Sequence, residues 1–412
     1  MNAPIAELRA FDVEAVRSEF PILSRQVQGK PLIYLDSGAS AQKPRAVIDA
    51  MSGLMERSYA NVHRGLHTLA NETTEAYEAA RRSVQGLINA PTVNEVVFTH
   101  GTTDSINLVA SGLGQSILPG DEIIVSQMEH HANIVPWHFL RERLGAVLRF
   151  VPVTEDGRLD MEAYFALLGP RTRMVALTHM SNVLGTINPA KAIIEAAHAA
   201  GVPVLLDGAQ GIVHLEVDVQ DLDVDFYAFS GHKLYGPTGI GVLYGKAERL
   251  AALPPYQGGG EMIGEVSEER ITYAAPPHRF EAGTPAIIEA IGLGAAIDWL
   301  AGLDRRAVLA HEEALYRRVK ARLQEDWLTE IGQAPGKGAI FSFAVKGAHA
   351  HDIAQILDRY GVAVRAGTHC AEPLMRRFGL TSSARASFAL YNTLEEVDAF
   401  ADALHKAHGF FA

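Results

Sequence analysis

Apolar residues gather along this chain in short unbroken runs, separated by amphipathic stretches with helical spacing. The runs lie at 33–35, 95–99, 122–126, 173–178, 203–207, 225–230 and 240–244 and read as strands. Helical patterns at 44–59, 73–88, 105–111, 134–144 and 190–200 separate most of them. A strand buried on both faces reads as a continuous apolar run, and alternation with helices predicts a mostly parallel sheet covered on both sides. In such sheets a ligand sits outside the carboxyl ends of the strands. From about residue 292 the pattern changes. A long charged helix (305–325) leads to a strand (339–345), a helix (350–360), strands at 362–365 and 385–390, and a last helix opening on Thr393 and Glu396 in capping-box spacing. A short helix over 13–19 precedes everything else. The predicted fold is α/β, with a large domain (26–295) built on a mostly parallel seven-stranded sheet and a small α+β C-terminal domain (296–412). The segment 1–25 is expected to pack with the small domain.

Composition narrows the function classes. The chain has 412 residues, 48% hydrophobic and 20% charged, as in an ordinary globular protein. A net charge of −12 argues against nucleic acid as a partner, because phosphate binding needs a basic surface. The most apolar stretch, 286–303, is interrupted by Glu289 and Asp298 and reads as a buried helix rather than a membrane span. The first eleven residues lack the basic start and apolar segment of a signal peptide, and a single cysteine permits no internal disulfide. The expected compartment is the cytoplasm.

Two strand ends carry the chemistry. The run 225–230 ends in Ser230-Gly231-His232-Lys233, a lysine in a tight loop bounded by Gly236 and Pro237. The run 203–207 ends on Asp207, followed by Gly208, Ala209 and Gln210. Singly these are a solvated lysine and a turn cap. Together they are what pyridoxal phosphate requires: an amine to form a Schiff base with its aldehyde, and a carboxylate to keep its pyridine nitrogen protonated. The cofactor's phosphate needs a helix N-terminus, and Thr99-His100-Gly101-Thr102-Thr103-Asp104-Ser105 supplies a glycine turn, hydroxyls and a helix start. Without the lysine this would read as a plain capped turn. With it, Thr102, Thr103 and the neighbouring amides become phosphate ligands, joined by Ser230 and His232. His130, at another strand end, suits stacking on the pyridine ring and proton transfer. Metal binding by His130 and His131 is the competing reading, and adjacent side chains rarely converge on one ion. Asn182 and Gln210 are amide donors at further strand ends, suited to the cofactor's phenolate oxygen.

The lone cysteine, Cys370, stands in Arg365-Ala366-Gly367-Thr368-His369-Cys370-Ala371-Glu372-Pro373. Most cysteines are inert, small apolar residues. This one has polar neighbours, and His369 and Arg365 are placed in sequence to stabilise a thiolate. A nucleophilic sulfur on a loop above an electron-sink cofactor suggests attack on a substrate sulfur. Arg385, at the start of an apolar strand, suits a bidentate grip on a substrate carboxylate, or else a surface ion pair.

The chain resembles group II, SufS-type cysteine desulfurases and selenocysteine lyases, within the fold-type I, class-V aminotransferase family of pyridoxal phosphate enzymes. The resemblance rests on Tyr34-Leu35-Asp36-Ser37-Gly38-Ala39, Asn61-Val62-His63-Arg64-Gly65, His130-His131-Ala132-Asn133, Asp207-Gly208-Ala209-Gln210, Ser230-Gly231-His232-Lys233, Arg279-Phe280-Glu281-Ala282-Gly283-Thr284-Pro285 and the stretch 365–373. Thr368 and Asp104 depart from the residues many relatives carry there. The resemblance implies conversion of L-cysteine to L-alanine, with sulfur left on Cys370 as a persulfide. Lys233 would hold the cofactor and shuttle protons, with His130 assisting. Arg385, Arg365, Asn182 and His63 would meet the substrate. Thr284 would complete the phosphate site of a neighbouring subunit, which implies a homodimer. A SufE- or SufU-like acceptor would take the sulfur to iron–sulfur cluster assembly. Selenocysteine lyase activity shares every residue named. Another fold-type I reaction, such as kynurenine cleavage or transamination, and an inactive scaffold stand as rivals.

Overall fold

In the computed structural model, which describes residues 11–411, strand residues alternate between two apolar layers. Val96, Phe98, Ile124, Val175, Leu177, Leu206 and Phe229 enter one layer; Val97, Ile123, Val125, Ala176, Leu205 and Ala228 enter the other. This period of two is what a sheet covered on both faces by helices requires. The strands are β1 (Val96–Thr99), β2 (Glu122–Ser126), β3 (Val147–Val151), β4 (Thr172–Thr178), β5 (Val204–Asp207), β6 (Phe226–Ser230) and β7 (Gly241–Gly245). Their order across the sheet is β1-β7-β6-β5-β4-β2-β3. From β3 to β6 neighbours run parallel, and only β7 is reversed, antiparallel to both β6 and β1.

The sheet has the seven strands expected, with one exchange of members. The apolar run at 33–35 lies outside it: Ile33–Tyr34 pairs in parallel with Val362–Ala363, more than 300 residues on, and nothing in the run identifies so distant a partner. Its place is taken by β3, an edge strand. There Arg149 reaches Glu122 at 2.7 Å and Phe150 is exposed, so the apolar run is broken where one side of the strand meets solvent.

A second sheet is antiparallel throughout, with β8 (Leu328–Glu330), β9 (Ile340–Val345), β10 (Arg365–Gly367) and β11 (Ser383–Ser387) in the order β8-β9-β11-β10. It has its own core of Leu35, Leu315, Phe341, Phe343, Phe388 and Phe400. The last helix, Leu394–His408, opens with the reciprocal Thr393–Glu396 capping box that its sequence predicts. The segment 11–25 touches both parts: Arg17 pairs with Glu396 at 2.7 Å, and the Arg45 amide donates to the Glu19 carbonyl at 2.7 Å. Residues 1–10 of the expected N-terminal segment lie outside the described residues. No helix among the described residues is long and apolar enough to cross a membrane.

Candidate active site

The carboxyl ends of β1, β2, β4, β5 and β6 open together onto a cavity of about 260 Å³. Lys233, Asp207, Gln210, His130, Thr102, Thr103, Asn182, Ser230, His232, Arg385, Arg365 and Cys370 all line it, so residues spread over more than 280 positions converge as a parallel sheet predicts.

Lys233 ends the single turn Gly231–Lys233 that follows β6. Its ammonium makes no hydrogen bond among the described residues, and burial lowers its pKa to about 8 against the opposing pull of Asp207. Asp207 is buried at the end of β5, and one carboxylate oxygen accepts from the Ala209 amide at 2.9 Å. Burial raises its pKa, with Lys233 opposing. The carbonyl of His232 is fixed by the Ala41 amide at 3.0 Å and the Lys43 ammonium at 3.0 Å, which anchors the loop from behind.

The helix Thr102–Leu113 begins immediately after the Gly101 turn, where the N-cap glycine has no side chain of its own to cap it. Ser230 Oγ accepts from the Thr102 amide at 2.8 Å and lies 2.8 Å from Thr102 Oγ1, so two strand ends present their hydroxyls at one helix start. The approach depends on glycine, because a Cβ on Gly241 would fall 2.3 Å from Gly101 Cα. On the opposite wall His130 Nδ1 accepts from the Ala132 amide at 3.1 Å, which places its proton on Nε2. Burial and the Lys233 charge hold it neutral, with a pKa near 4. Gln210 spends one N–H on the Gly38 carbonyl at 2.6 Å.

Arg385 on β11 is buried. Its Nη1 donates to the Asn182 carbonyl at 2.8 Å and its Nη2 to Asp36 at 3.2 Å, while Nε has no partner. A buried guanidinium N–H without an acceptor is costly, and a bound carboxylate would satisfy it. Arg365 on β10 is half exposed and shares the Asp36 carboxylate. Cys370 is exposed at the cavity rim.

The amine of Lys233, the buried carboxylate of Asp207 and the hydroxyl-lined helix start at Thr102 match the aldehyde, ring nitrogen and phosphate of pyridoxal phosphate. These residues fit the cofactor expected from the sequence. Among the described residues no group of three or more His, Cys, Asp or Glu side chains could hold a metal, which leaves His130 and His131 without a third ligand.

Two predicted residues are not brought to the cavity of their own chain. His63 is exposed and donates from Nε2 to the carboxylate of Glu78, on the helix Thr68–Ile88, at 2.9 Å. Thr284 is exposed beside a separate small cleft lined by Tyr77, His100 and Asp104. The expected thiolate-stabilising role of His369 is corrected. Its ring is buried against Ser383 at 3.0 Å, and burial pushes its pKa to about 3, so it carries no positive charge for Cys370. Arg365 and Lys233 are the cations that sense that sulfur. Three residues escaped the sequence reading. Asp36 joins the two arginines. Lys43 braces the Lys233 loop. Glu129 lies fully buried between Ser126 (2.5 Å) and Asn133 (2.7 Å), its pKa raised to about 8 by burial. The only sequence signal for Asp36 and Glu129 was an acid at the end of an apolar run; Lys43 had none.

Comparison with known proteins agrees with this geometry. The family Aminotransferase class-V matches residues 33–400. A cysteine desulfurase of Dickeya dadantii is 51% identical over 410 residues, covering 99% of both chains. The crystal structure of a cysteine desulfurase from Escherichia coli superposes with a TM-score of 0.91 at 42% identity, covering 98% of this chain and all of that one. The structure of a C-DES variant, with glycine linked covalently to its pyridoxal phosphate, has a TM-score of 0.80 at 25% identity, covering 94% and 98%.

Proposed function

This chain belongs to the aminotransferase class-V family, with the activity of a pyridoxal phosphate-dependent cysteine desulfurase, and we propose that it passes the sulfur of L-cysteine to Cys370 as a persulfide and on to an acceptor protein. One observation carries this reading: the exposed Cys370 and the unpaired amine of Lys233 line the same cavity.

Bound there, pyridoxal phosphate supplies an electron sink for bonds at the substrate's Cα. Lys233 would hold its aldehyde, and its amine, when free, is placed to carry protons, a task suited to an amine titrating near 8 rather than above 10. Asp207 keeps the ring nitrogen protonated. Thr102, Thr103, Ser230 and His232 take the phosphate, with Gln210 and Asn182 beside the ring. Arg385 takes the substrate carboxylate on its free Nε edge. The Cys370 thiolate then forms an S–S bond to the substrate sulfur as the Cβ–S bond breaks, and the carbon skeleton leaves as alanine after protonation. His130, neutral with its proton on Nε2, is placed to serve these transfers.

Thr284 and His63 are exposed, as are the apolar Leu66, Ile271 and Tyr273. A second copy covering that surface would bring Thr284 to its neighbour's phosphate, so the proposed working unit is a homodimer. The short 365–373 loop favours the SufS type, with a SufE- or SufU-like acceptor feeding iron–sulfur cluster assembly. The test is alanine and sulfide release from L-cysteine by holoenzyme with a thiol reductant, beside Cys370→Ala. Equal yields from the wild type and neither product from the variant are expected. Turnover surviving in the variant would remove the persulfide step and direct attention to L-selenocysteine.

A further inference from the structure

Lys43 carries a largely buried ammonium, and no carboxylate pairs with it among the described residues. An ammonium normally keeps its hydration, and burying one without a counter-charge is costly. Burial brings its pKa down to about 8. Its protons go to two carbonyl oxygens, those of Ala41 and His232, the latter at 3.0 Å. The His232 carbonyl is the one in need of donors. In the single turn Gly231–Lys233 the Gly231 carbonyl accepts from the Leu234 and Gly236 amides, both at 3.0 Å, whereas the His232 carbonyl receives no amide from its own turn. The segment 40–43 supplies it instead, through the Ala41 amide at 3.0 Å, the Lys43 ammonium and, more weakly, Ser40 Oγ at 3.4 Å. This segment is itself held on both sides of Lys43. The Gln42 amide donates to Tyr391 Oη at 3.2 Å and the Arg45 amide to the Glu19 carbonyl, while Pro44 restricts Lys43 to extended backbone. The braced carbonyl belongs to the peptide between His232 and Lys233, and both of those side chains line the cavity. One peptide plane therefore sets how far apart the two side chains are presented. A ligand gripped at both ends gains affinity only when the two grips fit its length.

We propose that Lys43 is a positioning residue for cofactor capture: by fixing the peptide between His232 and Lys233, it matches the span between these two side chains to that between the phosphate and the aldehyde of pyridoxal phosphate. The inference rests on the reading that His232 meets the phosphate and Lys233 the aldehyde. Lys43 touches neither end of the cofactor and acts through the His232 carbonyl alone.

The probes are pyridoxal phosphate, pyridoxal, which lacks the phosphate, and inorganic phosphate, which lacks the ring. Each is titrated against the cofactor-stripped full chain. Absorbance reads the first two, and slowed capture of pyridoxal phosphate reads the third. In Lys43→Met the affinity for pyridoxal phosphate should fall by about tenfold, the worth of a charge-assisted hydrogen bond, while pyridoxal and inorganic phosphate bind as they do to the wild type. Lys43→Arg, which keeps a cationic donor, should restore the affinity. Pyridoxal weakening by the same factor as pyridoxal phosphate would mean that Lys43 merely holds the loop. Inorganic phosphate weakening by that factor would mean that it acts as a counter-charge. Either result overturns the proposal, as does an unchanged affinity for all three. Should Lys43→Met not fold, Lys43→Gln, one bond shorter and still polar, is expected to show the same selective loss, and its absence overturns the proposal equally. A wild type that binds pyridoxal as tightly as pyridoxal phosphate would instead remove the reading of His232 as a phosphate ligand, a failure visible before any variant is made.

Discussion

The main-chain amide of His131 donates a 2.8 Å hydrogen bond to the carbonyl oxygen of Cys370, joining the loop after β2 to the loop that carries the exposed thiol. The Asn182 side chain adds a second tie, donating to the His369 carbonyl at 3.0 Å. Between these anchors His369 and Cys370 both adopt left-handed backbone conformations, with φ of 53° and 55°. For residues with a Cβ this costs about 1–2 kcal/mol each. The loop is therefore pinned from the large sheet's side while holding a conformation it would leave if released. That suits a sulfur that must first meet the substrate inside the cavity and afterwards an acceptor outside it.

Glu372 closes the same loop. Its carboxylate contacts the His131 imidazole and accepts from Thr368 Oγ1 at 3.0 Å. Both ends of the His131–Glu372 pair are more than one-third exposed, so its worth is that of a surface pair, about 0.2–1 kcal/mol. Glu372→Ala is expected to speed alkylation of Cys370 by iodoacetamide in the holoenzyme by about 1.5- to 5-fold, with the cofactor absorbance unchanged. Equal alkylation rates would show that the backbone bond from His131 holds the loop alone.

The depressed pKa of Lys233 has a sign that can be measured. Burial disfavours the ammonium and brings the value to about 8, while the Asp207 charge resists that fall. The free amine, which is the form that captures an aldehyde, then dominates above pH 8 rather than above 10. Rapid mixing of cofactor-stripped protein with pyridoxal phosphate should give a capture rate that rises through pH 8 and levels beyond it. Asp207→Asn removes the opposing charge, so its midpoint should move below 8. A rise that continues toward pH 10 in the wild type would contradict the burial argument.

How much of this was legible in sequence follows from where each signal lies. Asp207 could be read because it ends an apolar run and Lys233 because it closes the short turn after one, and the carboxyl end of a buried parallel strand is where ligands sit. The helix start at Thr102 lies three residues before the amphipathic pattern becomes visible, so the pattern alone began the helix too late. The edge strand β3 was illegible because Arg149 interrupts its apolar run and only Val151 in it is fully buried. Asp36 stood in a recognisable stretch, but its role depends on two arginines more than 320 residues away, and no local pattern encodes that meeting. His369 was misjudged for a different reason: adjacency to Cys370 in sequence suggested a charged neighbour for the thiolate, yet its ring folds inward against Ser383.

The segment carrying Thr284 is anchored by an ion pair that stability measurements can isolate. Arg81 is 1% exposed and donates to both oxygens of Glu281, at 2.6 and 2.9 Å, and to the Val96 carbonyl at 2.8 Å. Glu281, 6% exposed, also accepts from the Phe98 amide at 2.8 Å, so the pair fastens the 281–285 stretch to strand β1. Removing one partner of a buried pair strands the other charge, at a cost of about 3–5 kcal/mol. Arg81→Met should therefore lower the free energy of unfolding, measured by urea titration, by an amount in that range. Arg81→Met combined with Glu281→Leu should recover part of the loss, because the stranded Glu281 charge is then gone, although Glu78 still loses its 3.0 Å contact with Arg81. Recovery stops short of complete because the Val96 carbonyl and Phe98 amide lose their partners, each at about 1–3 kcal/mol. A double variant no more stable than the single one would show that those backbone contacts, rather than the charge pair, hold the segment in place.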